Sequence, residues 1–320
     1  VGFLSKIIGG ASRRADRGPA EAGPMQDPGM ESEPDTAAGL PPPPPVEAGG
    51  PEAHNAHLSS PPPVIDQTFP ADDVARYYDD WNERYEAVFG EVFQHLKAAD
   101  HDQLLGHMAE VAELGDGDRV LDAGCGVCGP ARHFARTHDV SIDAVTISPK
   151  QAERARELVE RDGFADRITV HVGDFHHLDD VVAPGSRDLV YFLEALVHAH
   201  DPLTALRSAF TVLGPGGRLY VKDFYRGRSD DPAAQRVIDE CVEATNRICH
   251  LTIRNTEDVV AWVQEAGFDV EVCQPLAVPT YSIEDGHEFC RRYGLDVAAG
   301  RDFTTTFYLD NLEIRARKPR

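Results

Sequence analysis

Val120-Leu-Asp-Ala-Gly-Cys-Gly-Val-Cys-Gly-Pro130 reads as the end of a strand, a glycine turn and the start of a helix. The apolar run that begins after Arg119 stops at Asp122. Gly124, Gly126 and Gly129 follow in a G-x-G-x-x-G frame, and Ala131-Arg-His-Phe-Ala135 continues with helical spacing. Such a turn brings backbone N–H groups close to a ligand at the helix N-terminus. The frame alone suits a dinucleotide or S-adenosylmethionine (SAM). Asp122, two residues before the first glycine, favours SAM: a carboxylate at the strand end can hold the ligand's ammonium group, and no pyrophosphate is required.

Around this turn the chain alternates between strand and helix patterns. Strands are expected at Arg119–Leu121, Ser141–Ile147, Ile168–Val172, Asp188–Leu193, Arg218–Lys222, Phe268–Cys273 and Thr304–Arg315, the last antiparallel. Helices are expected from Ala131, over Pro149–Arg161 behind a Ser148 cap, over Pro202–Leu213 and across most of 232–267. Asp72 to Leu114 reads as a helical cap, with Val74, Tyr77, Tyr78 and Trp81 on one face and Val88, Val92 and Leu96 on another. The alternation implies an α/β, Rossmann-like, doubly wound sheet, mostly parallel, with its ligand at the carboxyl ends of the strands. Asp122, Asp174 and Glu194 each follow a predicted strand and should meet at one crevice.

Composition divides the 320 residues in two. Residues 1–70 are rich in Pro, Gly and Ala, with runs at Pro41–Pro45 and Pro61–Pro63, and lack a sustained apolar period. They are expected to be a disordered tail, and residues 71–320 a single catalytic domain. Gly2-Phe-Leu-Ser-Lys-Ile-Ile8 is too short to span a bilayer and has its basic residues on the wrong side for a secretory signal. A formal charge of −23 argues against nucleic acid and anionic membrane surfaces as partners. Six scattered cysteines suit reduced thiols in a cytoplasmic enzyme better than a disulfide framework. Cys125-x-x-Cys128 lies inside the glycine turn without a second pair, and His171, His176 and His177 near Asp174 and Asp179 suit a tolerant surface, so no metal site is assigned. A homo-oligomer is compatible with the sequence.

Val120–Pro130, Gly173-Asp-Phe175 and Leu213-Gly-Pro-Gly-Gly-Arg-Leu219, in this order, resemble class I SAM-dependent methyltransferases, over about residues 72–320. A dehydrogenase would need an acidic residue at the tip of the second strand for the ribose; that place is Ala144-Val-Thr-Ile-Ser148, and Asp143 lies earlier. The acid is also the commoner methyltransferase choice. Val145-Thr-Ile-Ser-Pro-Lys-Gln151 instead resembles the group that methylates carbon, including sterol and prenyl diphosphate (geranyl diphosphate) C-methyltransferases. The resemblance implies that Thr146, Ser148 and Gln151 lie near the ribose and methionine of SAM, that Asp174 and Phe175 meet its adenine, and that Tyr77 reaches its carboxylate. Ser148 as a helix cap and Phe175 as core are the structural alternatives.

Glu194-Ala-Leu-Val-His198, before Asp201-Pro202, resembles the matching segment of sterol C-methyltransferases. There an alkene attacks the SAM methyl and a base removes a proton from the resulting carbocation. The resemblance makes Glu194 the base or cation stabiliser, His198 a second catalytic candidate, and Tyr78 and Trp81 substrate-facing. Lys222-Asp-Phe-Tyr-Arg-Gly-Arg228 is basic for so acidic a chain. Lys222, Arg226 and Arg228 are candidates for a diphosphate, with Phe224 and Tyr225 beside it and Mg²⁺ carried through the diphosphate. The expected acceptor is therefore an isoprenoid small molecule such as geranyl or isopentenyl diphosphate. A small-molecule O- or N-methyltransferase and a scaffold acting through its polyproline tail are the rival functions.

Overall fold

Proline and a short polar cap open three of the helices. In a computed structural model, described for residues 68–94, 97–98, 100–278, 281–282, 284–302, 306 and 308–320, Ser148, Asp201 and Asp231 each accept a backbone N–H two or three residues on, and Pro149, Pro202 and Pro232 follow them. The cap satisfies one orphan donor, and proline occupies a position whose N–H has no helical partner. The order of elements is α1 (Ala71–Phe89), β1 (Lys97–Ala98), α2 (His101–Val111), β2 (Arg119–Ala123), α3 (Gly129–Thr137), β3 (Ser141–Thr146), α4 (Pro149–Arg161), β4 (Ile168–Val172), β5 (Arg187–Leu193), α5 (Pro202–Val212), β6 (Leu213–Arg226), α6 (Pro232–Cys249), α7 (Thr256–Glu265), β7 (Asp269–Pro275), β8 (Tyr281–Ser282), α8 (Glu284–Tyr293) and β9 (Leu309–Arg317). Short 3₁₀ turns at Phe175–Asp180 and Leu196–His198 follow β4 and β5.

Seven strands form one sheet in the order β4-β3-β2-β5-β6-β9-β7, and β1 pairs with β8 separately. Only β9 is antiparallel to its neighbours, and it inserts between β6 and β7. This is the Rossmann-like arrangement expected from the alternation. β2 is central: the chain winds outward through β3 and β4, then crosses to β5 on the other side, so the crevice between these halves opens at the strands' carboxyl ends. Both sheet faces are covered. Leu104, Met108, Phe134 and Val159 pack on one and Leu206, Ala209, Val259 and Val263 on the other, which explains the near-continuous apolar strands.

The differences from expectation are local. β6 runs from Leu213 to Arg226, beyond both ends of the expected Arg218–Lys222, and takes in the glycine stretch Gly214-Pro-Gly-Gly217. The 232–267 helix is two, because His250 ends α6 in the left-handed region with φ 54°. The first helix stops at Phe89 before Gly90, φ 67°, so Val92 lies beyond it, and Leu96 lies outside the described residues. β9 starts at Leu309; Thr304 is likewise outside them, as are residues 1–67 of the expected tail. α8 and the β1–β8 ladder were not anticipated. Among the described residues no helix is long and apolar enough to cross a membrane.

Candidate active site

The glycine turn is shaped by what surrounds it. Gly124 has φ 99°, and a Cβ there would collide with the Cβ of Ala195 after β5. Gly126 has φ 52° and faces Phe93. A Cβ on Gly129 would strike the carbonyl oxygen of Glu91, so the third glycine admits the segment that leaves α1. The turn lines an open cleft of about 740 Å³ together with Asp122, Thr146, Gln151, Phe175, Glu194, His198 and, from α1 and its exit, Val74, Tyr78, Glu91, Phe93 and Gln94. Glu91, Phe93 and Gln94 were missed by the sequence reading, because nothing local marks a post-helix loop as part of a site formed far along the chain.

Asp122 is 2% exposed and accepts a hydrogen bond from the Tyr191 hydroxyl at 2.9 Å. Burial pushes its carboxyl up to about 7, against the opposing effect of that bond. A buried carboxylate in this position calls for a cation. At the tip of β3, Thr146 donates to the Gln151 side-chain oxygen at 2.9 Å. Ser148 caps α4 and also donates to Asp79 of α1 at 2.6 Å, while the Lys150 ammonium donates to the Asp79 carbonyl at 2.8 Å. These contacts fasten α1 over the cleft.

On the opposite wall, Glu194 stands just after β5 with φ 53°. A left-handed non-glycine residue costs about 1 kcal/mol or more and persists where the surroundings demand it. Its backbone N–H donates to the Lys222 carbonyl at 2.7 Å, and its carboxylate pairs with the Lys222 ammonium. His198 Nδ1 lies 3.1 Å from the His250 carbonyl and Nε2 lies 2.8 Å from the Tyr78 hydroxyl. A carbonyl only accepts, so Nδ1 carries the hydrogen and Nε2 receives the tyrosine's. Burial holds His198 down to about 4 despite the carbonyl bond, so the ring is neutral near pH 7.

A methyltransferase-domain family model matches residues 121–221. Methyltransferase GfsG of Streptomyces halstedii is 30% identical over 209 residues, 62% of this chain and 73% of GfsG. The chain belongs to the SAM-dependent methyltransferases. The 27-O-demethylrifamycin SV methyltransferase of Amycolatopsis mediterranei is 29% identical over 213 residues, 64% of this chain and 76% of that protein. A sterol 24-C-methyltransferase of Yarrowia lipolytica is 33% identical over 190 residues, 59% of this chain but only 48% of the yeast protein. Among solved structures, geranyl diphosphate C-methyltransferase of Streptomyces coelicolor superposes with a TM-score of 0.60 over 78% of this chain and 97% of that one, at 16% identity.

Other residues expected in the methyltransferase's site sit outside this cleft. Tyr77 is buried, its hydroxyl 3.0 Å from that of Tyr85. Trp81 packs on Phe289 and Tyr293 of α8. Asp174 caps the turn after β4, accepting from the His176 backbone at 2.9 Å and pairing with its ring at 2.5 Å. Burial works against the Asp174 carboxylate, yet these bonds hold it below the usual range. The expected anion cradle is not assembled. Lys222 is wholly buried against Glu194 and Gln94, Arg226 faces Asp239 at 3.5 Å, and Arg228 pairs with Glu257. Phe224 and Tyr225 line a separate, smaller cavity with Asp223 and Arg254. The physical reason is strand length and local charge: Arg228 lies beyond the end of β6, and Glu194, Asp239 and Glu257 supply nearer acidic partners. Among the described residues no group of three or more His, Cys, Asp or Glu side chains is arranged for a metal ion.

Proposed function

We propose that this methyltransferase adds the SAM methyl to an alkene carbon of an isoprenoid, with a carbocation formed on the acceptor and then deprotonated. The observation that carries the proposal is Glu194, fixed on a left-handed turn in a cleft whose other walls include Tyr78, Phe93 and Phe175. An anion among aromatic faces is what a transient cation requires. The residues also fit SAM. Asp122 offers a buried carboxylate to the ammonium group, Gly124 and Gly126 bring backbone close, and Thr146 and Gln151 offer hydroxyl and amide to the ribose and methionine portions. Phe175 offers a face to the adenine, while Ser148, Tyr77 and Asp174 act from behind, Ser148 by capping α4 and Asp174 by shaping its turn.

SAM supplies an electrophilic methyl on a sulfonium. The protein's part is to orient the alkene in line with it, to stabilise positive charge through Glu194, and to take the proton at Glu194 or at the Tyr78–His198 pair. Sterol and geranyl diphosphate C-methyltransferases among the similar proteins support an isoprenoid acceptor. The cleft's own lining contains no Arg or Lys among the described residues, so a prenyl diphosphate would carry its head toward the rim, with Mg²⁺ bound through the diphosphate.

A second function, O- or N-methylation of a small metabolite, is favoured by the neutral His198 accepting from Tyr78, a pair able to deprotonate a hydroxyl or amine, and by the rifamycin relative. Purified protein should be mixed with ¹³C-methyl SAM, with and without Mg²⁺, and a panel of prenyl diphosphates and other isoprenoids. A mass gain with the label on carbon by NMR is expected; label on oxygen or nitrogen would establish the second function instead. Glu194→Gln should bind adenosylhomocysteine normally and turn over about 10²–10⁴-fold slower. Unchanged turnover would remove Glu194 from the chemistry.

A further inference from the structure

We propose that Thr252 is a positioning residue for His198: it docks the segment after α6 behind the cleft wall, so that the His250 carbonyl holds the imidazole with Nε2 facing Tyr78. The inference rests on the proton-accepting role of the Tyr78–His198 pair argued above, and it applies to methyl transfer to carbon, oxygen or nitrogen alike. Thr252 is 3% exposed. Its backbone N–H donates to the Val197 carbonyl at 2.6 Å, and its hydroxyl stands 2.9 Å from the carbonyl oxygens of both Val197 and Ala199. A hydroxyl has one hydrogen, so it serves these acceptors in turn. Thr252 therefore grips the backbone on either side of His198. Asp223 of β6 adds a further hold by accepting the Val197 N–H at 2.9 Å.

The segment that carries Thr252 is itself fixed. His250 ends α6 with φ 54° and ψ 48°, and its N–H donates to the Asn246 carbonyl. That carbonyl also accepts from the Leu251 N–H at 3.0 Å, and the Asn246 side-chain oxygen accepts from the Ile253 N–H at 2.9 Å. One asparagine thus holds the backbone on both sides of Thr252. These bonds maintain a left-handed conformation that is unfavourable for a residue with a Cβ, and the His250 carbonyl oxygen comes to lie 3.1 Å from His198 Nδ1. With hydrogen on Nδ1 this contact is a bond; with hydrogen on Nε2 it sets two lone pairs against each other. The first tautomer leaves Nε2 to accept from the Tyr78 hydroxyl at 2.8 Å. Burial pushes Tyr78 far above its ordinary range, so it keeps that hydrogen near neutral pH. The spacing of carbonyl and ring depends on how 250–252 sits against 197–199, and Thr252 is where the two segments are joined. Without its hydroxyl the wholly buried Ala199 loses this donor, and the two segments are free to shift apart.

The test uses the full chain with bound adenosylhomocysteine and needs no methyl acceptor. Histidine rings are labelled with ¹⁵N, and the His198 signals are assigned by their loss in His198→Gln. In the wild type at neutral pH, the ring shifts should show hydrogen on Nδ1. Thr252→Val keeps the shape of the side chain and removes the hydroxyl. In that variant the ratio of the Nε2–H to the Nδ1–H tautomer should rise about fivefold or more, and Thr252→Ser should return it to the wild-type value. A tautomer ratio unchanged in Thr252→Val overturns the inference even if the melting temperature falls, since a merely structural residue would give that result. Hydrogen on Nε2 in the wild type overturns it as well. If Thr252→Val does not fold, Thr252→Ala takes its place in the same comparison. Failure of both to fold makes Thr252 a residue of folding, and the inference is lost. A shifted tautomer ratio with methyl transfer at the wild-type rate would support the positioning of His198 and remove the Tyr78–His198 pair from proton transfer.

Discussion

In the proposed SAM site, Asp122 should couple ligand binding to protons. Its carboxyl rises from an ordinary 3.8 to about 7 on burial. Between those values the folded protein holds a proton that the unfolded chain has lost, so the unliganded fold loses stability as pH rises through the window. A ligand ammonium beside Asp122 favours the ionised form. Binding of adenosylhomocysteine should therefore weaken as pH falls below about 7, by at most about tenfold per unit, and should release a proton there. Calorimetry in buffers of different ionisation enthalpy measures that release. Asp122→Asn should bind weakly and without this pH dependence; a full pH dependence in the variant would place the proton elsewhere. Gly124→Ala combines a left-handed φ with a collision against Ala195. It should destabilise the fold by about 1–3 kcal/mol in urea unfolding and weaken adenosylhomocysteine binding alongside.

At the scale of elements, the loop leaving α1 is held by charge as well as shape. Glu91 pairs with Arg132 of α3 at 2.5 Å and Arg161 of α4 at 2.8 Å, and Arg132 also pairs with Asp162. The Arg161 hydrogen bond is the main reason that the Glu91 carboxyl lies at about 2, opposed by burial, with Arg132 adding to the lowering. A lowered acid contributes stability that is complete above its unfolded value of 4.5 and lost as pH falls toward 2. The difference in melting temperature between the wild type and Glu91→Gln should accordingly be present at pH 7 and shrink on acidification below 4.5. A difference that grows in acid would contradict this. Because Glu91 and Arg161 are partly exposed while Arg132 is buried, the Arg161 part of the effect should also fall in high salt. The same loop carries Phe93 and Gln94 to the cleft, so Glu91→Gln should loosen ligand binding.

At the scale of the molecule, β9 joins β7 to the rest of the sheet. It supplies the hydrogen-bonding edge to both β6 and β7, and its Glu313, 0% exposed, accepts from Tyr220 at 2.9 Å and Gln274 at 2.7 Å and meets His107 of α2 at 3.0 Å. Glu313→Ala leaves the buried Tyr220 hydroxyl without its acceptor, at about 1–3 kcal/mol, and removes a partner from the partly exposed Gln274 and His107. Chemical denaturation should show that loss as a lower midpoint with an unchanged slope. A loss below about 0.5 kcal/mol would mean that water replaces the carboxylate.

Short-range chemistry was legible in the sequence. Apolar alternation, the glycine frame and polar caps followed by proline place β2–β5, α4 and α5 within a few residues of their observed limits, because each signal acts over one turn or one strand. The same locality put Asp122, the glycine turn and Glu194 at one crevice, because parallel strands end on one side; Thr146 and Gln151 came from the family resemblance. What only the tertiary structure decided is pairing at a distance. Tyr191 lies beneath Asp122 because β2 and β5 stand in that register. Lys222 faces Glu194 and Gln94, and Tyr78 meets His198, across 28, 128 and 120 residues of chain. Spacing carries no information at such separations. Whether a basic side chain meets a ligand or a buried carboxylate depends on which partner the packed chain brings within reach, and in Lys222 it brought the carboxylate.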